Sequence, residues 1–459
     1  MERIIVHSDL NNFYASVERL LNPELSGKPI AVCGNKEERR GIVLAKSEEA
    51  KRFGVKTGDT VWLAQKKCPS LLTVPPHFKE YMHYSLKVKE IYAQFTDLIE
   101  SYGIDECWLD LTRSTKVLPP FKDMYAEREG EKCYSPEYLR FIGDFIREEV
   151  KSKLSLTVSC GVSFNKVFAK LGSDLKKPDG TTVIGKVNFE KVVAGLPVED
   201  LLYVGKATAY KLHFIGLSTI GKLAEADDNE MKRLFGKNGQ TLLKYARGED
   251  TEEVKHMDEK RVYKSIGNSC TYAEDVTTLK DAERLLYVLS ESVATRLRES
   301  GQGLADTVHL WVRYSNLTDI SVQKKVRHTA LCGEIAKHAF ELFKENVTPP
   351  FSVRAMGITV SGFDNGTSQI TLDEACGNYK KLEAVEKCVD KIRKKHGYNK
   401  LQRGIIAEDP KEMNNDIKNS HLIKPANFTP PEEGKLSQNQ PLPEDKALYA
   451  NFQTTDDEF

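Results

Sequence analysis

The chain has 459 residues, of which 40% are apolar, so it can form several compact units of about 100–150 residues each. Lys plus Arg and Asp plus Glu both total 67, and the zero net charge argues against a nucleic-acid binder, because such domains are commonly basic. The charge is unevenly distributed: residues 260–403 hold 23 basic and 17 acidic residues, whereas 408–459 hold 5 and 11. A basic surface can therefore exist within a chain of zero net charge.

The nine cysteines are scattered and include no Cys-x-x-Cys pair, so neither a zinc site nor a disulfide framework is indicated. Glu2 and Asp9 stand among only a few apolar residues at the N-terminus, which excludes a signal peptide. No apolar run approaches the ~20 residues that span a bilayer. We therefore expect a cytoplasmic protein with no membrane partner.

The first predicted elements are a strand and a helix joined at an acidic residue. Residues 3–9 have the apolar run of a buried strand, and residues 10–21 have helical spacing of apolar residues. Asp9 therefore lies where a strand passes into a helix. Residues 27–77 follow as a small mixed unit with a helix at 47–53.

A second acidic segment follows a predicted helix at 79–97, where a strand carries Asp105 and Glu106. Gly103 just before them permits an unusual backbone path. Adjacent residues of a flat strand point to opposite faces, so the two carboxylates can act together only if the strand end bends. Carboxylates on a rigid sheet suit Mg²⁺, which leaves coordination positions open for phosphate oxygens. Together with Asp9 they predict a two-metal phosphoryl-transfer site, although either segment alone would be an ordinary solvated turn.

Residues 113–134 are polar and are most simply a surface loop. A helix at 136–153, a strand at 155–162 and a helix at 164–174 then complete an α/β layer.

Residues 186–250 are predicted to be all helical, with two turns that resemble helix-hairpin-helix turns. Backbone amides at such helix starts hold phosphates without reading bases, which makes Gly205, Lys206, Gly216 and Gly221 candidate DNA contacts. Tyr203 stands where a first glycine is usual. Plain helix connectors are the alternative interpretation.

A charged connector, residues 251–261, leads to a second α/β unit. Its predicted elements are helix 280–299, strands 306–315 and 319–328, helix 331–346, strand 352–361 and helix 378–396. Strand alternation places Thr307, His309, Trp311 and Arg313 on one face, opposite Val308, Leu310, Val312 and Tyr314. Lys325 and Arg327 can join that polar face from the next strand, which is either a DNA-binding surface or simply solvated.

Several motifs, taken in order, resemble the Y-family, or translesion, DNA polymerases of the polymerase IV and UmuC type. They are residues 4–9 (IIVHSD) with 10–18 (LNNFYASVE), 41–46 (GIVLAK) with 49–55 (EAKRFGV), 104–112 (IDECWLDLT), 161–170 (GVSFNKVFAK) and 177–180 (KPDG). The resemblance spans residues 3 to 405.

The resemblance implies an α/β (α+β) multidomain fold, a right-hand polymerase with palm, small fingers, helical thumb and α/β little finger. The implied bounds are palm 1–26 and 78–174, fingers 27–77, thumb 175–250, linker 251–262, little finger 263–405 and a disordered acidic tail 406–459.

The resemblance also implies the catalytic ligands. Asp9 and Asp105 would bridge two Mg²⁺ ions, with Mn²⁺ able to substitute, and Glu106 would complete the primer-side ion. The backbone carbonyl of Leu10 would reach the nucleotide-side ion. Asp110 fits a structural acid better than a ligand.

Family alignment places Tyr14 under C2′ of the incoming nucleotide, where its ring would exclude a ribose hydroxyl, with Phe13 the next candidate. As a lone aromatic residue on an amphipathic helix, Tyr14 would otherwise be core.

Cations for the triphosphate are expected at three positions. Lys166 matches the family's triphosphate-binding lysine, and its place at a strand-to-helix turn points it towards the site. In the fingers, Glu48 replaces a usual Tyr and Lys51 a usual Arg, so Lys51 binds as a point charge or Lys46 replaces it.

The resemblance predicts a low-fidelity, template-directed DNA polymerase of DNA damage tolerance that acts as a monomer on primer–template DNA and dNTP. A catalytically silent DNA-binding accessory protein and a template-independent nucleotidyltransferase are the alternatives. The sliding clamp is a candidate partner through residues 438–443 (QNQPLP), although that match has no aromatic residue. Tyr449 and Phe452 are an alternative anchor.

Overall fold

A computed structural model describes residues 2–34, 41–118, 121–122, 134–259, 262–364, 378–397 and 400–407. The chain divides into two compact units. The first comprises residues 1–28 and 77–259, and the second comprises residues 29–76 and 260–424, each with the gaps given above. The predicted boundaries of palm, fingers, thumb and little finger stay a prediction.

The chain begins with a buried strand that passes directly into a helix, as predicted. Strand β1 is Ile5–Leu10 and helix α1 is Phe13–Leu21. All six residues of β1 are buried, so Asp9 is held within the layer. Asn12 turns the chain between them with a left-handed φ of 49°, a conformation that asparagine tolerates better than most residues.

In the small segment of the second unit, residues 29–76, the described residues form a three-stranded sheet and two helices. In chain order these are β2 (Ile30–Cys33), β3 (Val43–Lys46), α2 (Glu48–Arg52), α3 (Val61–Lys67) and β4 (Leu72–Val74). Strand β2 lies in the centre, antiparallel to β3 and parallel to β4. The predicted helix at 47–53 is confirmed, with Ser47 as its cap.

The rest of the first unit's sheet comes from residues 77–184. Its elements are α4 (Phe78–Tyr92), β5 (Ile99–Ser101), β6 (Glu106–Asp110), α5 (Pro136–Leu154), β7 (Val158–Ser163), α6 (Lys166–Leu175) and β8 (Thr181–Ile184). The strand order is β5-β6-β1-β7-β8, with β1 in the centre and antiparallel to both neighbours. The predicted polar loop at 113–134 lies mostly outside the described residues.

Residues 186–250 are helical, as predicted. The helices are α7 (Phe189–Val193), α8 (Lys206–Phe214), α9 (Ile220–Ala224), α10 (Asp228–Phe235) and α11 (Lys237–Ala246). Their apolar faces share one core, and Phe168 of α6 reaches into it.

The larger segment of the second unit is a four-stranded antiparallel sheet covered by helices. Its elements are β9 (Ser265–Val276), α12 (Leu279–Ser300), β10 (Leu304–Tyr314), β11 (Asp319–Thr329), α13 (Cys332–Asn346), β12 (Val353–Asp364), α14 (Asn378–His396) and α15 (Gly404–Ala407). The strand order is β11-β10-β12-β9. Among the described helices of both units, none combines the length and apolarity needed to cross a bilayer.

Candidate active site

The antiparallel pairing of β1 and β6 brings the predicted carboxylates to one end of the sheet. Asp9 lies directly opposite Glu106 in this register. The amide of Leu10 donates to the carbonyl of Asp105 at 3.0 Å, so Asp105 lies beside the end of β1. Two segments about a hundred residues apart therefore supply one acidic site.

A tight bend before β6 lets Asp105 and Glu106 act from the same place. The amides of Tyr102 and Gly103 both donate to the carbonyl of Glu106, at 3.1 and 3.2 Å. A Cβ on Gly103 would lie 3.0 Å from Asp105 Oδ1 and 3.2 Å from Glu106 Cγ, although the residue does not have a left-handed φ. Gly103 therefore lies at this bend without a left-handed φ, and its lack of a side chain leaves room for the two carboxylates.

Close packing of α6 on β7 places a lysine over the carboxylates. A Cβ on Gly161 would lie 1.9 Å from the carbonyl oxygen of Ala169, so only glycine allows this approach. The Nζ of Lys170 then lies 3.2 Å from Asp9 and 2.5 Å from Glu106, and the side chain is only 15% exposed. Lys170 is a bridging cation that sequence reasoning did not identify.

A second lysine approaches Asp9 from just beyond the end of α6. The Nζ of Lys177 lies 2.9 Å from Asp9 and 2.7 Å from Asp174. The sequence indicated Lys177 only as part of the motif at 177–180. Because it lies beyond the end of α6 at Leu175, helical spacing from Lys170 could not have indicated this approach.

The prediction that Lys166 points towards the site is wrong. Its ammonium pairs with Glu100 at 2.8 Å and Glu252 at 3.1 Å, lies over the ring of Trp108 and is 4% exposed. The buried cap Asn165 fixes Lys166 as the first residue of α6. Lys166 therefore lies one helical turn before Lys170 and contributes to packing at the other end of the layer.

The charges in the site shift two carboxyl pKa values in opposite directions. Burial raises the pKa of Asp105 to about 6, and repulsion from Asp9 and Glu106 adds to this effect. Burial would also raise the pKa of Glu106, but the nearby His7 imidazole and the Lys170 ammonium outweigh it and lower that pKa to about 2. Asp105 therefore lies among uncompensated negative charges, whereas the Lys170 ammonium neutralises the charge of Glu106.

The buried side chain of His7 lies next to Glu106. His7 Nδ1 lies 2.8 Å from the Ser173 hydroxyl, and its ring packs edge-on against Trp108. Nε2 lies 3.4 Å from Glu106, within ion-pair reach but without hydrogen-bond geometry. Burial lowers the pKa of this imidazole. Asp110 has the expected structural role, since its Oδ1 accepts from the amide of Thr112.

The donor set, carboxylates and a backbone carbonyl, fits hard divalent cations. Within the part of the chain that the structure describes, no three His, Cys, Asp or Glu side chains converge as metal ligands. Asp9 and Glu106 instead converge on the Lys170 ammonium, so a positive charge already sits where two carboxylates meet. Carboxylate oxygens are the ligands that Mg²⁺ prefers. The carbonyl of Leu10 as a further ligand stays a prediction.

The aromatic pair after Asp9 divides into a core residue and a site residue. Phe13 is buried at 3% exposure, whereas Tyr14 is only partly buried. Burial raises the pKa of Tyr14 to about 12, and the charge of Asp105 contributes, so the phenol lies within electrostatic reach of the carboxylates. Tyr14 is therefore the better candidate for contact with a nucleotide.

The two fingers lysines differ in their own surroundings within the second unit. Lys46 Nζ donates to Thr57 at 3.3 Å, and Lys51 lies 3.4 Å from Glu48, one helical turn away. Both interactions are solvent-exposed and therefore weak. Which lysine meets a triphosphate stays a prediction.

The helical region, residues 186–250, contains the four predicted DNA contacts, which differ in their backbone surroundings. Gly205 caps α8 without a side-chain hydrogen bond, which leaves the first turn from Lys206 uncapped by a side chain. Tyr203 has a left-handed φ of 68°, as the missing glycine requires, and Gly216 has a φ of 84°. The amide of Gly221 already donates to Ala194 at 3.0 Å, so the prediction that this amide holds a phosphate is wrong.

The predicted polar face of the second unit's larger sheet is confirmed except at Thr307, which is buried. Val308, Leu310 and Val312 are buried, whereas His309, Trp311 and Arg313 are partly exposed. Lys325 lies opposite Thr307 on that same face, and Lys325 and Arg327 are exposed. Acidic partners reduce the basic character of the face, since Arg313 pairs with Asp319 at 2.9 Å and Lys325 with Asp306 at 2.5 Å. The candidate clamp motif and Tyr449 and Phe452 lie outside the described residues.

Comparison with known proteins identifies relatives along most of the chain. Residues 8–174 match the impB/mucB/samB family, and residues 263–372 match the C-terminal domain of that family. Residues 199–250 match the thumb domain described for DNA polymerase-iota.

Individual relatives agree with these matches. The chain is 44% identical to DNA polymerase IV of Acetivibrio thermocellus over 89% of this chain and 98% of that protein. It is 36% identical to DNA polymerase IV 1 of Bacillus subtilis, over 88% of this chain and 92% of that protein. A solved Y-family DNA polymerase chimera has the same fold, with a TM-score of 0.66 and 24% identity over 78% of this chain and 99% of the chimera.

Proposed function

The chain belongs to the impB/mucB/samB family of Y-family DNA polymerases, and we propose that Asp9, Asp105 and Glu106 are the catalytic residues of its DNA synthesis. It is a DNA-directed DNA polymerase of the translesion type, and its activity depends on divalent metal. The observation that carries the assignment of residues is the β1–β6 register, which sets Asp9 opposite Glu106 with Asp105 at the adjoining bend.

The reaction joins a primer 3′-hydroxyl to the α-phosphate of a dNTP and expels pyrophosphate. Two Mg²⁺ ions held by Asp9, Asp105, Glu106 and the Leu10 carbonyl would lower the pKa of the attacking hydroxyl and neutralise the leaving group. The fixed antiparallel strands hold the three carboxylates in place before substrate arrives, so little reorganisation is needed during the reaction.

Two lysines beside Asp9 are candidates to bind phosphate groups. Lys170 and Lys177 contact Asp9 through their ammonium groups, and their side chains are 15% and 28% exposed. We propose that Lys177, the more exposed of the two, binds the triphosphate, and that Lys170 neutralises the carboxylates. Lys46 or Lys51 would supply a further cation from residues 27–77.

Tyr14 would select the sugar. It is the second residue of α1, and its phenol experiences the charge of Asp105. A ring at this position would clash with a 2′-hydroxyl but accept a deoxyribose.

Contacts with primer–template DNA are proposed at two surfaces. The first turn of α8, at Gly205 and Lys206, lacks a side-chain cap and offers amides to a phosphate. Trp311, Arg313, Lys325 and Arg327 lie on the polar face of the larger sheet of the second unit. We propose a monomer, with the sliding clamp as partner of the tail.

The experiment is single-nucleotide incorporation by the purified protein on four templates that differ in the templating base. Incorporation of the complementary dNTP with Mg²⁺, and its loss in EDTA, is the expected result. A product that ignores the template would identify a template-independent nucleotidyltransferase. DNA binding without incorporation, in Mg²⁺ or in Mn²⁺, would identify a silent accessory protein.

A further inference from the structure

The ring of Tyr14 does not stand alone but stacks on a second tyrosine. Tyr14 and Tyr81 of α4 lie face to face, with ring centroids 4.2 Å apart and planes 9° from parallel. Phe78 packs edge-on against both rings, at 6.0 and 5.7 Å. The position of the Tyr14 ring therefore depends on where Tyr81 is held.

Tyr81 is in turn held by a buried carboxylate. Its side chain is fully buried, and its hydroxyl donates to Glu18, which is 2% exposed. The same hydroxyl accepts from the backbone amide of His77 at 3.0 Å. His77 Nδ1 lies 3.0 Å from both carboxylate oxygens of Glu18, so the carboxylate and the hydroxyl form one small network.

Both stacked rings are connected to helix α1. Tyr14 and Glu18 are four residues apart on α1 and therefore share a face. Tyr81 contacts Tyr14 through its ring and Glu18 through its hydroxyl, so α1 fixes both the in-plane position and the tilt of the ring. Packing of α1 on α4 alone would not require a buried carboxylate, because burying one is costly unless it is hydrogen-bonded.

We propose that Glu18 is a positioning residue for sugar selection, acting through Tyr81 on the ring of Tyr14. The inference rests on the proposed role of Tyr14 as the residue that excludes ribonucleotides. Without the Glu18–Tyr81 hydrogen bond the Tyr81 ring can slide beneath Tyr14, and the Tyr14 ring can move away from the 2′-hydroxyl of a bound ribonucleotide. Discrimination falls while the chemistry of deoxynucleotide transfer, which uses other groups, is retained.

The test compares kcat/KM for dNTP and for the matching rNTP in full-length variants. Tyr81→Phe removes the hydroxyl and keeps the stacking ring, and Glu18→Gln removes the charge at constant shape. Tyr81→Phe should lower the dNTP-to-rNTP ratio by about 5–20-fold, less than the full value of one hydrogen bond to a charged group, because the Tyr81 ring still stacks on Tyr14. Glu18→Gln should lower it by a smaller factor, because the amide oxygen can still accept from the Tyr81 hydroxyl. The change should lie mainly in the KM for rNTP.

Tyr138→Phe is the matched control. Tyr138 is also fully buried in the first unit, and its hydroxyl donates to the Phe121 carbonyl at 3.3 Å, on a different helix from the stack. Its loss should lower thermal stability without changing the ratio. Tyr14→Ala is the reference, and Tyr81→Phe combined with Tyr14→Ala should lower the ratio no further than Tyr14→Ala alone.

An unchanged ratio in folded Tyr81→Phe and Glu18→Gln, with a lowered ratio in Tyr14→Ala, would overturn this inference and leave the role of Tyr14 intact. If Glu18→Gln fails to fold, Tyr81→Phe decides alone. Additive effects of Tyr81→Phe and Tyr14→Ala would also overturn the inference. If Tyr14→Ala itself keeps full discrimination against rNTP, the proposed role of Tyr14 is refuted, and the inference about Glu18 is refuted with it.

Discussion

Removing the Lys170 ammonium is the most informative perturbation of the site. Lys170→Met keeps the length of the side chain and its apolar stem but removes the charge that bridges Asp9 and Glu106. Because the carboxylates are largely buried, they would be left without their nearest cation. We therefore expect the metal-free protein to lose stability.

The magnitude follows from Glu106, whose pKa is lowered from 4.5 to about 2. At ~1.36 kcal/mol per pKa unit, its partners together stabilise the fold by about 3 kcal/mol at pH 7. Lys170 shares this effect with His7, so Lys170→Met should lower the free energy of unfolding by roughly 2 kcal/mol. Lys151→Met is the control, since Lys151 is 46% exposed and pairs with Asp179 at the surface. Its loss should cost no more than ~0.5 kcal/mol.

The assay is urea unfolding in EDTA at pH 7 and pH 3. A carboxyl group whose pKa is lowered by folding stabilises the protein above its unfolded pKa, and this contribution is lost as the pH falls through the folded value. The difference between wild type and Lys170→Met should therefore narrow between pH 4.5 and about 2. Added Mg²⁺ should stabilise the variant more than the wild type, because no ammonium competes for the carboxylates. Equal stabilities at pH 7 in EDTA would refute the reasoning.

Three further outcomes test separate parts of the account. Tyr14→Ala should raise ribonucleotide incorporation by about one to three orders of magnitude in single-nucleotide assays, since a clash of ~1.5–4 kcal/mol is removed. Lys177→Ala should raise the KM for dNTP roughly tenfold, whereas Lys166→Met should reduce the melting temperature with little effect on that KM. A raised KM in Lys166→Met and an unchanged KM in Lys177→Ala would instead identify Lys166 as the phosphate ligand. A chain that ends at Asp409 should keep distributive primer extension and lose any stimulation by the sliding clamp, and loss of extension without clamp would show that the tail belongs to the catalytic body.

Local patterns predicted the strands and helices that carry the carboxylates. The apolar run before Asp9 and the helical spacing after it gave β1 and α1 to within a few residues, because each element buries a face with its own period. Strand β9 (Ser265–Val276) was missed, because its inward positions include the polar Asn268, which is buried and bonds to Ser292. A polar residue at an inward-facing position interrupts the alternation of apolar and polar residues that predicts a strand.

The cations of the site could not be predicted from local patterns. Lys166, Lys170 and Lys177 all lie on or near α6, and Lys170 and Lys177 reach Asp9 because the helix packs closely on the sheet at Gly161. No periodicity in the sequence reports how closely the helix packs on the sheet. The same holds for Gly103, whose reason is space beside the carboxylates.

Primer extension by Asp105→Asn tests the central claim most directly. The change removes charge at nearly constant volume, and Asp110→Asn, at the far end of β6 with a structural hydrogen bond to Thr112, is the matched control. The account predicts that Asp105→Asn lowers extension at least ~10³-fold, about 4 kcal/mol of transition-state stabilisation, with DNA affinity nearly unchanged, while Asp110→Asn stays active. The melting temperature of Asp105→Asn should not fall, because burial and repulsion disfavour the charged form of Asp105 in the folded protein. Near-normal extension by folded Asp105→Asn would contradict it.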